Sequence, residues 1–150
     1  LDDDLISKKT EVIDGVIPSS NSIIANCLFK LGHHFGDKKY TETSEMMLNN
    51  LKDEIVNNSM NYSNWLHLMT NFTQPFYEVA IVGKEANTIN KKLTACYLPN
   101  ILITGSTQES NQPLLENKFI DDETYVYVCV NGVCKLPETD IYKAIKTIKK

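Results

Sequence analysis

The apolar residues of this chain change their period once, near Pro75, and that change limits the folds open to it. Ahead of it, Ile23, Ile24, Cys27, Leu28, Leu31 and Phe35 recur at three- and four-residue spacing up to Gly36-Asp37. Such spacing is the stripe of an amphipathic helix, which starts near Ser19 with Ser20 or Asn21 as its cap. A second stripe runs through Tyr40, Met47, Leu48, Leu51 and Ile55 and fades at Asn57-Asn58-Ser59. Its connection to the first is short, so the two helices are expected to pair antiparallel. A third segment places Tyr62, Trp65, Leu66 and Met69 on one face before Pro75. Residues 1–12 are acidic and then basic without period, a lead-in to the helices.

Beyond Pro75 the pattern is that of strands. Phe76-Tyr77-Glu78-Val79-Ala80-Ile81-Val82-Gly83 is a β-rich run closed by glycine, the look of a buried strand. A helix over about 86–97 and a strand at 101–104 complete a parallel strand–helix–strand unit. Residues 105–123 read as a loop that Leu114-Leu115 and Phe119-Ile120 pin to the core. Residues 125–130 and 133–136 flank Asn131-Gly132, the signature of a type I′ hairpin. A last helix spans about 140–148, with Ile141, Ala144, Ile145 and Ile148 inward. The fold class is α+β: antiparallel helices over 1–74, then a small α/β domain over 75–150.

Composition removes several function classes. All 15 basic residues are lysines, and without arginine the bidentate readers of phosphate and bases are missing, so nucleic acid is not an expected partner. The halves 1–75 and 76–150 carry 6 Lys against 10 acids and 9 Lys against 9, too mild a difference to name a partner. No apolar run approaches the roughly 20 residues of a membrane span, and no basic segment precedes an apolar one as in a secretory signal. The chain therefore reads as soluble and cytoplasmic.

Few residues suggest chemistry. Cys27 and Cys96 fall on helix faces expected to point inward and read as small buried apolar residues. Cys129 and Cys134 differ. The type I′ turn makes them a non-hydrogen-bonded pair with Cα atoms about 4.5 Å apart, close enough to bridge. Two readings stand for them, a switchable disulfide or two thiols kept reduced. The cysteine spacings match no zinc pattern, and His33-His34 at a helix end is expected to face solvent. Neither a metal nor a cofactor is expected. Asp14, Ser20 and Asn21 cluster where a loop enters the first helix, as caps or as contacts for an anionic ligand. Gly83-Lys84 follows a strand but lacks the other glycine of a phosphate loop.

Three segments together carry a resemblance. They are Asp14-Gly15-Val16-Ile17-Pro18-Ser19-Ser20-Asn21-Ser22, residues 76–83 with Tyr97-Leu98-Pro99-Asn100, and Tyr127-Val128-Cys129-Val130-Asn131-Gly132-Val133-Cys134. In order and spacing the chain resembles the C-terminal region of the thioredoxin-domain-containing family related to spermatogenesis-associated protein 20, departing from it at Ser20, where glycine is usual. The resemblance implies a long parent with a thioredoxin-like domain, then an α/α toroid similar to N-acylglucosamine 2-epimerases and six-hairpin glycosidases, then a small α/β tail. It implies that Asp14, Ser19, Asn21 and Ser22 line a toroid cleft for a sugar ligand and that Cys129 and Cys134 are a redox pair. The upstream domains would be this chain's partners. The chain alone is expected to be inactive on sugars, since no catalytic carboxylate pair or histidine base is legible in it. Its exposed helix faces are expected to form a homodimer through the first two helices.

Overall fold

The computed structural model describes residues 10–149, and the lead-in over 1–9 lies outside them. Four helices come first: α1 (Ser20–Phe35), α2 (Lys38–Asn49), α3 (Lys52–Asn57) and α4 (Ser63–Thr73). The second stripe is thus two helices, parted at Asn50-Leu51. The sheet half follows as β1 (Tyr77–Val82), α5 (Ala86–Thr94), β2 (Ile101–Ser106), β3 (Tyr125–Val130), β4 (Val133–Cys134) and α6 (Ile141–Ile148). The α+β class is as expected, and so is the parallel pairing of β1 with β2. The sheet order is β2-β1-β3-β4, with β3 antiparallel to both its neighbours.

Helix α1 packs on the face opposite to the one its apolar stripe marks. Its buried residues are Ser22, Ala25, Phe29 and Gly32. Ile23, Ile24 and Phe35 are about half exposed at 47%, 50% and 49%, and Cys27 is exposed as well. The reason is close approach to α2. A Cβ on Gly32 would sit 2.5 Å from the Thr41 methyl group, and the Ser44 hydroxyl donates to the Ala25 carbonyl at 2.7 Å. Small residues, not large ones, let two helices meet at that distance. The pairs 25–44 and 32–41 run antiparallel, as the short connection requires. Phe29, Leu48, Ile55, Trp65 and Leu68 fill the helical core.

Strand β1 is buried along its whole length and divides the sheet half into two faces. Tyr77, Val79 and Ile81 pack with Leu93 of α5 and Ala144 and Ile148 of α6. Ala80 and Val82 point the other way, against Leu115, Phe119 and Tyr127. By strand alternation Glu78 belongs to this second face, which also meets the helical layer. The connecting loop is pinned by Leu114 and Leu115 as expected, while Ile120 is exposed at 49%. The hairpin turn has φ of 51° at Asn131 and 76° at Gly132, the two left-handed positions of type I′. No described helix is long and apolar enough to cross a membrane.

Candidate functional site

Asp14 ties together the starts of two helices. Its Oδ1 accepts the Ser19 N–H at 2.9 Å and the Ser22 hydroxyl at 2.6 Å, and its Oδ2 accepts the Asn64 N–H at 2.8 Å. Ser19 is the N-cap of α1, accepting from the Ser22 N–H, whereas α4 has no capping side chain of its own and borrows Asp14. Burial raises the Asp14 pKa, but the bonds from Ser22, Ser19 and Asn64 outweigh it and hold the carboxyl below its ordinary 3.8. Three of the four loop residues singled out in the sequence, Asp14, Ser19 and Ser22, are buried. Asn21 is half-buried, its amide donating to the Glu11 carbonyl at 2.8 Å.

A second constellation sits near the other end of α1, where the helices meet the sheet. His33 is not solvent-exposed as its place at a helix end suggested. Its side chain is 11% exposed, and Nδ1 lies 2.7 Å from Oε1 of Glu78, itself 3% exposed. A carboxylate only accepts, so Nδ1 is the donor of this bond. The ring is held between Phe29 and Phe76, at centroid distances of 4.5 and 4.9 Å. The other carboxylate oxygen of Glu78 accepts the Gly132 N–H of the hairpin turn at 2.9 Å. Sequence reasoning missed this pair. The one available signal was a charged residue inside a strand that reads as fully buried, which has to find a partner.

His33 and Glu78 line a cleft of about 730 Å³ that also takes in Phe72, Lys118, Gly132 and Cys134. Asn71 lines it too, and its amide nitrogen is buried without a partner among the described residues. Replacing an unpaired buried amide by an apolar side chain of similar size removes a desolvation cost. Asn71→Leu is therefore expected to raise stability by about 1 kcal/mol in urea unfolding. A loss of similar size would mean that the amide has a partner.

Cys129 and Cys134 are joined, with Cα atoms 3.8 Å apart, and the Lys135 N–H donating to the Val128 carbonyl makes them the non-hydrogen-bonded pair. Cys129 is 1% exposed and Cys134 is at the surface. Because Cys129 stands opposite Glu78 across β1 and β3, the disulfide and the carboxylate share a sheet face. Cys27 is exposed and Cys96 half-buried, so Cys27 corrects the expectation of a buried thiol. The Lys84 ammonium pairs with Asp122 at 2.6 Å on the surface. Among the described residues no group of three or more His, Cys, Asp or Glu is placed to hold a metal ion.

No family model matches the chain, and no solved structure does. Two relatives are similar to it, spermatogenesis-associated protein 20 from Homo sapiens and from Rattus norvegicus, each 25% identical over 138 residues. The match covers 85% of this chain but 18% of either relative, so the chain spans under a fifth of their length.

Proposed function

We propose that this chain is the C-terminal region of a larger cytoplasmic protein related to spermatogenesis-associated protein 20, and that its first 74 residues close an α/α toroid used in carbohydrate processing. Residues 75–150 are the small α/β domain docked on that toroid. The observation that supports this is the two-sided character of α1. One face is packed within the chain, and the opposite face leaves Ile23, Ile24, Leu31 and Phe35 between 39% and 50% exposed. A helix apolar on both sides belongs inside a helical assembly. Ile13 and Ile17, 53% and 76% exposed, widen the bare surface beside the start of α1. Upstream helices of the parent are the proposed cover. The loop over 14–22 would then border the cleft, with Asp14, Ser19 and Ser22 fixing its shape and Asn21 nearest to a sugar.

A ligand that binds only the folded state raises apparent stability. Full-length parent screened by thermal shift against monosaccharides, amino sugars and their phosphates is expected to be stabilised by some of them, while this chain alone is not. No shift in either counts against the carbohydrate role. Taken alone, the chain is expected to pair through its bare stripe, with light scattering giving a dimer mass at high concentration. A monomer mass there counts against the stripe as a sticky surface.

A second reading is favoured by the disulfide, which has one buried member, Cys129, and one exposed, Cys134. In it the hairpin exchanges with the thioredoxin-like domain of the parent. Cys129→Ser should then trap a mixed disulfide at Cys134 and Cys134→Ser should not, whereas a sugar site is indifferent to both.

A further inference from the structure

We infer that His33 is the proton-transfer residue for thiol–disulfide exchange at the Cys129–Cys134 bond, with Glu78 positioning it and a protein dithiol as the substrate. The inference rests on the redox reading and adds the groups that move the proton. Cys134 is the exposed member of the pair and Cys129 the buried one, so an incoming thiol attacks at Cys134 and Cys129 is the leaving sulfur. The leaving thiolate emerges in a buried site, where an unpaired charge is costly, and needs a proton at once.

Glu78 links His33 to the hairpin that carries the disulfide. Glu78 stands opposite Cys129 in the strand register. Its Oε2 accepts from Gly132, inside the ring that the disulfide closes, and its Oε1 holds Nδ1 of His33. Nε2 has no partner among the described residues, and His33 and Cys134 line one cleft.

Nε2 takes the proton of the partner's thiol as that sulfur bonds to Cys134 Sγ. The Sγ–Sγ bond breaks, and Cys129 Sγ leaves with the electron pair and collects the proton from the imidazolium, which Glu78 stabilises meanwhile. The partner's second thiol then attacks its own sulfur in the mixed disulfide and releases Cys134 as a thiol. The chain gains two electrons and two protons, and the partner leaves as a disulfide.

The test treats the unreduced chain anaerobically with dithiothreitol, quenches by alkylation and reads each cysteine peptide by mass. His33→Gln is expected to slow reduction about tenfold or more. Wild-type rates should rise less steeply than thiolate concentration between about pH 6 and 8, and the variant's in proportion to it. Besides Glu78, the charged groups around the cleft are Lys38, Glu42 and Glu45 of α2 and Lys118 of the loop before β3. Neutralising each of these four singly should leave the wild-type profile in place.

A purely structural role for His33 has the opposite sign, because a loosened hairpin exposes the bond and speeds its reduction. Reduction of the variant at or above the wild-type rate overturns the inference. Should the variant fail to fold, the wild-type profile decides, and strict proportionality to thiolate overturns it. Four free thiols in the unreduced chain remove the redox reading and the inference together. A bond with an unchanged variant rate removes the inference alone.

Discussion

Asp14→Ala is expected to cost about 3 kcal/mol or more of folding stability, since hydrogen bonds to a charged group are each worth about 1.5–3 kcal/mol and do not add fully. The substitution strips the buried Ser19 N–H and the part-buried Asn64 N–H of their acceptor. It also cuts the join between α1 and α4, which the Trp65 indole N–H reinforces by donating to the Val12 carbonyl at 2.8 Å. Urea unfolding measures the loss. The sign with pH follows from the depressed pKa of the folded state. The contribution is complete above the unfolded value near 3.8 and is lost as pH falls through the lower folded value. Asp14→Asn should remove that acid-side slope. A variant as stable as wild type, or an unchanged slope, would show that the carboxylate does not hold the two helices.

The second large effect lies at Glu78. Removing the carboxylate strands both of its donors, and hydrogen bonds to a charged group are worth about 1.5–3 kcal/mol each. Glu78→Ala should cost more than one such bond, because it orphans His33 Nδ1 and the Gly132 N–H at once. Exchanging both partners for leucine is different, since a buried pair replaced by packed apolar groups is often neutral. The double variant His33→Leu with Glu78→Leu is expected to recover most of the loss, less about 1 kcal/mol for the Gly132 N–H left without its acceptor. Additive costs in that cycle would mean that the two side chains do not interact.

The sheet half was legible because its signals are local. Asn131-Gly132 dictates the turn, the turn fixes the pairing of Cys129 with Cys134, and the buried run at residues 77–82 has one role open to it. The helical half was less legible, because ranking residues by apolarity cannot see that Ser22, Ala25 and Gly32 form the tight contact with α2. The stripe that reads as core is the face this chain leaves bare. His33 was misjudged for a related reason. Its partner Glu78 is 45 positions away, and only the docking of helices on sheet brings the two together. Asp14 was visible as part of a helix start, but its bond to Asn64 joins positions 50 apart and has no local trace.

On the proposed function, the bare face of α1 is an internal surface of a larger helical assembly. Cys27 reports on it directly, being exposed and one helical turn from Ile23, Ile24 and Leu31. The measurement is the rate at which iodoacetamide labels Cys27 in this chain, dilute enough to be monomeric, against the rate in the full-length parent. Labelling near the rate of a free thiol in the chain, slowed about tenfold or more in the parent, is the predicted result. Equal rates in the two would contradict it, because α1 would then be a true surface helix with no upstream cover.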